Sequence, residues 1–354
     1  MRSPQDRLAD ERPNRRPPAE ARRLGRRLGR GALWGLAALL VLALSGATAQ
    51  VIAERRAAAA HPPPGELVRL PDGRMLHLHV EGRQHTGPTV LLLGGAGASS
   101  AAWAWIQPPV AERYRVVAYD RAGLGWSDAS PRPPTAPAVL DDLRTALRAQ
   151  GLTGPYVLVG HSLGGHYARA FAIAHPDEVI GMVLVDPSHE DQTAALDGAS
   201  DPAGMKAMFT ALRLATGLGL TRIYNPFEAD LHGLPEPSRS QVLAEVNTVG
   251  YVRAMAAEFA AMDDIGAAIA DGHLGDRPLR VLIAGGASTE DGQRQVDTLR
   301  PLRERLAQLS TNGQLTHLPT AQHVTIVSEQ RHAAQVARAI LDVAESGNAE
   351  SRTG

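Results

Sequence analysis

The sequence predicts a doubly wound, mostly parallel α/β sheet with a helical cap inserted after its sixth strand, preceded by one transmembrane helix. Three observations predict it. Short unbroken apolar runs recur between residues 89 and 318, most of them followed by a stretch of helical period. Residues 186–279 interrupt that rhythm with apolar helical patterns of their own. Residues 31–53 carry no charge at all.

Residues 1–30 are rich in Arg, Pro and acidic residues and end in the basic run from Arg22 to Arg30, a composition too polar to pack and expected to be disordered. The charge-free run 31–53 that follows is dominated by Leu, Ala and Val. About 20 such residues at a rise of 1.5 Å match a hydrocarbon core of about 30 Å. With the arginines on its N-terminal side, the positive-inside rule keeps residues 1–30 in the cytoplasm and sends the rest across, giving a single-pass cell-membrane protein with an extracytoplasmic domain. The alternative is secretion after cleavage at the small-residue pattern Ala47-Thr48-Ala49. Helical pattern continues from Glu54 to Ala60, and His61-Pro62-Pro63-Pro64-Gly65 ends it as a stiff linker.

Residues 66–70 and 75–81 alternate apolar and polar around Pro71-Asp72-Gly73-Arg74 and predict a β-hairpin. His77 and His79 share one face of its second strand and read as a surface pair without a third metal ligand. The runs at 89–93, 115–119, 156–159, 179–185, 280–284 and 314–318 predict strands buried on both faces by crossover helices at 138–150, 165–175, 296–309 and 329–345. In the long insertion, helices are expected at 205–218 and 240–262. The domain expectation is thus a cytoplasmic segment 1–30, a membrane helix 31–53, a linker 54–65, a core of 66–187 and 276–345, a cap of 188–275 and a disordered tail 346–354.

The 36 basic and 37 acidic residues leave a net charge of −1, so no basic field invites nucleic acid. With no cysteine, disulfides, thiolate metal sites and a cysteine nucleophile are excluded. The chemistry must lie beyond the C-terminal ends of the strands, where ligands of open parallel sheets bind. There Gly160-His161-Ser162-Leu163-Gly164 stands between a strand and a helix, the context that makes G-x-S-x-G a nucleophile elbow. The flanking glycines serve a turn too tight for a Cβ. A serine nucleophile needs a base. His323 follows the last strand, whereas His317 falls inside that strand; His161 and His166, beside the elbow, read as structural. Two backbone N–H groups aimed at a developing oxyanion are expected from Leu163 and from Gly95 in the loop Gly94-Gly95-Ala96-Gly97. That loop is not a phosphate loop, because it lacks G-x-x-x-x-G-K-[ST] and the chain's one lysine, Lys206, lies elsewhere.

From about Glu66 to Ile340 the sequence resembles the α/β-hydrolase superfamily, through the elbow, the glycine loop and Asp120-Arg121-Ala122-Gly123-Leu124-Gly125-Trp126-Ser127-Asp128. More narrowly, it is similar to bacterial membrane-anchored hydrolases that share the Pro-Pro-Pro-Gly linker, Tyr-Asp-Arg-Ala-Gly and Asp186-Pro187-Ser188-His189-Glu190-Asp191-Gln192. The resemblance implies an α/β-hydrolase sheet, a Ser-His-acid triad and a cap that sets specificity. It also implies, from Ser162, that dehalogenase and epoxide hydrolase chemistry, which needs an aspartate there, is absent. Two departures stand out. The oxyanion loop begins Leu93-Gly94 where many members have His-Gly, and the usual acid position, three residues past Gly285, is Ser288. The acid is then Asp186, at a strand end that supplies it in some haloalkane dehalogenases, or else Glu290 or Asp291 on the neighbouring loop.

The expected function is a serine hydrolase of esterase or lipase type, cleaving an ester, thioester or amide of a small or lipid-like substrate without metal or organic cofactor. Peptidase or perhydrolase action on the same triad, and a non-catalytic receptor or scaffold, are the rival readings. An aromatic content of 4% suggests aliphatic pocket lining.

Overall fold

The computed structural model describes residues 19–196, 201–270 and 272–350. The apolar runs form the strands β1 (Glu66–Arg69), β2 (Met75–Glu81), β3 (Thr89–Leu93), β4 (Arg115–Tyr119), β5 (Tyr156–His161), β6 (Val179–Val185), β7 (Leu279–Ala284) and β8 (Gly313–Leu318). They make one eight-stranded sheet in the order β1-β2-β4-β3-β5-β6-β7-β8. The β1–β2 and β2–β4 pairs are antiparallel and the remainder parallel.

Around the sheet lie α1 (Ala19–Ala60), α2 (Gln107–Ala111), α3 (Ala136–Ala149), α4 (Leu163–Ala174), α5 (Gln192–Ala195), α6 (Pro202–Gly217), α7 (Glu228–Leu231), α8 (Ser238–Val246), α9 (Val249–Ala267), α10 (Glu290–Arg305), α11 (Thr325–Ser328) and α12 (Gln330–Glu350). The period of two along each strand divides the core. Val90 and Leu92 of β3 pack with Ile106, Ile340 and Val343 on one face. Leu91 and Leu93 pack with Leu143, Leu147 and Phe171 on the other. Each fully buried leucine contributes about 1.5–3 kcal/mol. β8, at the sheet edge, departs from the expectation of two covered faces: only Leu318 in it is buried.

The insertion between β6 and β7 is helical and has its own core of Phe209, Leu231, Val242, Val246, Tyr251 and Met255. The single helix expected over 240–262 is two, α8 and α9. Thr248 between them is extended (φ −111°, ψ 147°), and its hydroxyl accepts from the Tyr251 N–H, starting a new helix. Two expected disordered segments are also helical in part. α1 begins at Ala19, because the Arg, Leu and Ala before the apolar run are good helix formers, and α12 continues to Glu350. Residues 1–18 and 351–354 lie outside the described residues. Within α1, Gly31–Ala60 is long and apolar enough to cross a membrane, and most of it is exposed.

β3 lies between β4 and β5, so the chain turns to one side after β3 and returns to the other. The sheet's switch point therefore falls at the ends of β3 and β5, where the glycine loop and Ser162 emerge.

Candidate active site

Ser162 sits between β5 and α4 with φ 53° and ψ −123°, a left-handed conformation that costs a non-glycine residue about 1–3 kcal/mol. The turn is held by its surroundings. The Ser162 N–H donates to the Val185 carbonyl at 3.2 Å, and the Ser162 carbonyl accepts from the Ser188 N–H at 3.1 Å. A Cβ on Gly160 would lie 2.5 Å from the Gly164 oxygen, and one on Gly164 would lie 1.9 Å from the Leu93 oxygen. Those two contacts are the physical reason for the glycines of the motif.

His323 lies between β8 and α11. Its Nε2 is 3.0 Å from Ser162 Oγ and its Nδ1 is 2.5 Å from Asp186 Oδ2. Asp186 ends β6 in a left-handed turn of φ 39°, which the short Asp side chain tolerates better than most. Its other oxygen, Oδ1, accepts from the Ala284 N–H at 3.0 Å and from Arg303 at 2.9 Å. Burial pushes the Asp186 carboxyl up, but the hydrogen bond and charge of His323, the Arg303 guanidinium and the Ala284 amide outweigh it and hold the pKa below the ordinary carboxylate value. An ionised carboxylate only accepts, so Nδ1 of His323 carries the proton and Nε2 is free to accept from the serine hydroxyl.

Glu290 and Asp291 are not brought to His323. They open α10 behind the Thr289 cap, where acidic side chains complement the helix dipole. Both are exposed, and Asp291 pairs with Arg294. His317 is not packed as its place inside a strand suggests: it is exposed on edge strand β8, 3.3 Å from Glu304.

Gly95 lies against the elbow. A Cβ there would come within 3.1 Å of both Ser162 Cβ and His161 Nδ1. Leu163 is the first residue of α4. His161 is tied to the site: its Nε2 donates to the His323 carbonyl at 2.8 Å, and the two rings lie 4.9 Å apart. Burial drives its pKa down to about 3, so the ring stays neutral.

The departure at Leu93-Gly94 has a counterpart in Arg121. This buried guanidinium donates to the carbonyls of Gly94 (2.8 Å) and Gly95 (2.6 Å) and pairs with Glu258 of α9 at 2.5 Å. Glu258 in turn accepts from the Gly97 N–H at 2.8 Å. A cap helix thus grips both ends of the glycine loop. Nothing in the sequence near Glu258 marks it, whereas Arg121 sits inside the quoted Asp-Arg-Ala-Gly run. His77, expected at the surface, is fully buried, its Nδ1 2.8 Å from Asp120 Oδ2. Asp120 also accepts from the Ser100 and Trp126 N–H groups, so this pair braces the loops around the site.

A cavity of about 580 Å³ opens above Ser162 and His323. Leu231, Leu234, Val246, Met255 and Met262 line it together with Phe227, Tyr251 and Phe259, so its wall is apolar but less purely aliphatic than the composition suggested.

Residues 88–220 match the family model of the alpha/beta hydrolase fold. The chain is 43% identical over 81 residues to an uncharacterized protein of Schizosaccharomyces pombe, covering 23% of this chain and 15% of that one. It is 30% identical over 184 residues to a 2-hydroxy-6-oxononadienedioate/2-hydroxy-6-oxononatrienedioate hydrolase of Paraburkholderia xenovorans, covering 48% of this chain and 60% of that enzyme. The chain therefore spans less than two thirds of the length of these curated relatives. The crystal structure of a hydrolase from Pseudomonas aeruginosa superposes with a TM-score of 0.58 at 20% identity, over 80% of this chain and 99% of that one. With its sheet order, its strand–serine–helix turn and these likenesses, the chain has the α/β-hydrolase fold.

Proposed function

We propose that the protein is a serine hydrolase that cleaves an ester, thioester or amide through an acyl-enzyme, held at the membrane by α1. The observation that carries this reading is the line Ser162 Oγ, His323, Asp186, with separations of 3.0 and 2.5 Å. In the mechanism, Oγ attacks the substrate carbonyl carbon while Nε2 of His323 takes the hydroxyl proton, and the carbonyl π pair moves to oxygen. The N–H groups of Gly95 and Leu163 receive that oxyanion. Collapse expels the alcohol, thiol or amine, which takes the proton from His323. Water, deprotonated by the same ring, then adds to the acyl carbon, the C–Oγ bond breaks, and Ser162 Oγ takes the proton back from His323 as the acid leaves. Asp186 fixes the tautomer and offsets the imidazolium charge.

The apolar cavity favours a substrate with an apolar acyl group. Hydrolysis is also the activity in the name of the Paraburkholderia relative. The anchor reading has its own support: Gln50, next to the Ala47-Thr48-Ala49 pattern, is buried against the cap, and Gly46 packs on Leu218, so both sides of a cut there are tied to the fold. The orientation, with residues 1–30 cytoplasmic and the hydrolase domain outside, rests on the arginine bias.

Turnover of a series of p-nitrophenyl acyl esters tests the reading. Wild type should hydrolyse them and Ser162→Ala should not. No turnover of any ester, thioester or amide by a folded wild type would return the protein to the receptor or scaffold class.

A further inference from the structure

α1 does not stand clear of the domain. Ala43, Gly46, Ala47, Gln50, Ala53, Glu54 and Ala57 are at least partly covered, a spacing of three and four that marks one helix face. That face lies on the cap. A Cβ on Gly46 would meet the Leu218 oxygen at 2.6 Å, so the two backbones touch. Gln50, 2% exposed, donates to the Asn247 carbonyl at 2.6 Å and accepts from Arg222 at 2.7 Å. The depth of this contact follows from the sequence. The charge-free run ends at Ala53, and Glu54, Arg55 and Arg56 follow. At a rise of 1.5 Å per residue, Gly46 lies about 10 Å below that boundary. The cap residues touching Gly46 share its depth.

Beyond those contacts the turn presents apolar side chains to the outside. Leu218, Leu220, Ile223 and Tyr224 are exposed, Ile223 by 84% and Tyr224 by 81%. Such a patch is costly in water but matches the acyl–headgroup boundary, where an apolar face sits about 5–10 Å deep and Tyr is favoured. Arg213 and Arg222, both exposed, flank it with charge for the headgroups.

We propose that the cap turn 218–224 is a second membrane contact, seated in the lipid leaflet beside α1. This rests on the reading of α1 as an uncut anchor and adds to it: the cap itself is interfacial. Phe227, Leu231 and Leu234 follow the turn and line the cavity. The contact thus sets one cavity wall at the lipid surface, where esters with long acyl chains concentrate, and names bilayer-resident acyl esters as the substrate class.

The cysteine-free full chain makes the test direct. Single cysteines at Leu39 (Leu39→Cys), Ile223 (Ile223→Cys) and Arg338 (Arg338→Cys) are labelled with an environment-sensitive fluorophore in liposomes of phosphatidylcholine and phosphatidylglycerol, then challenged with spin-labelled lipid. The expected result is strong quenching at 39 and at 223 and none at 338, exposed on α12. Quenching at 39 with an aqueous, unquenched label at 223 overturns the cap contact and leaves the anchor standing. A blue-shifted but unquenched label at 223 assigns the turn to a second protein copy and also overturns it. No quenching at either site removes the anchor reading and the proposal with it. Ile223 is too exposed for its replacement to disturb folding.

Discussion

At the scale of single residues, the proposed mechanism turns on the acid of its triad. Asp186 is buried, holds His323 at 2.5 Å and is itself held by Arg303 and the Ala284 amide. Replacing Asp186 by Asn leaves the shape but offers an amide N–H where the ring needs an acceptor, so kcat for an ester should fall by about 10³–10⁴. Glu290→Gln, at the exposed start of α10, should leave it unchanged, and steady-state assays of the two variants side by side check both. The buried histidines give a prediction for stability. His161 and His166 have pKa values lowered by burial to about 3 and about 4, from 6.5. The unfolded chain therefore binds more protons than the folded one below about pH 6.5, and stability falls as pH drops from there towards 4. The slope should reach about 1.4 kcal/mol per pH unit for each ring. Asp186, with its pKa lowered, acts in the same direction only further down, as pH passes below the ordinary carboxylate range. Urea unfolding at pH 7, 6 and 5 measures the slope, and His161→Gln should flatten it.

At the scale of elements, the contact that matters most joins α9 of the cap to the glycine loop. Arg121 fixes the Gly94 and Gly95 carbonyls, and Glu258 fixes Arg121 and the Gly97 N–H. Arg121→Met should cost about 3–5 kcal/mol, because it leaves a buried carboxylate without its partner. The double variant Arg121→Met, Glu258→Gln should recover much of that stability, since neither charge remains. It should not recover activity. A loop no longer held in place presents the Gly95 N–H poorly, and losing one oxyanion donor costs roughly 10²–10³ in kcat. Thermal midpoints and kcat, measured on the single and double variants, separate the two effects. A double variant with full kcat would show that the loop holds its shape unaided.

At the scale of the whole molecule, the strands were legible because six are short apolar runs bounded by turns and the first two alternate apolar and polar residues about a tight turn. The first departures came where covering is one-sided: β8 is an edge strand, so most of its residues, His317 among them, face solvent. Ser162, His323 and Asp186 could be singled out because each follows a strand, and strand ends converge in this topology. Glu258 could not be, since its partner Arg121 is 137 positions away and the pairing exists only once the cap is folded. The division of 240–262 into two helices turned on Thr248, whose capping role shows in its backbone angles and not in the apolar pattern. His77 looked like a strand residue on a wet face, but Asp120, directly after the neighbouring strand β4, supplies the partner that lets the ring be buried. For the chain as a whole, membrane fractions of expressing cells should retain the protein against high salt and release it to detergent. Its appearance in the soluble fraction, shortened by about fifty residues, would favour the cleaved form.

The central claim is that Ser162 is a nucleophile activated by His323. Reaction of the full-length protein in detergent with a fluorophosphonate, followed by mass analysis of the peptide that contains the elbow, tests it most directly. The account predicts one adduct, on Ser162, that disappears in Ser162→Ala and forms far more slowly in His323→Ala. An unlabelled wild type, or labelling that persists when Ser162 is replaced, would contradict it.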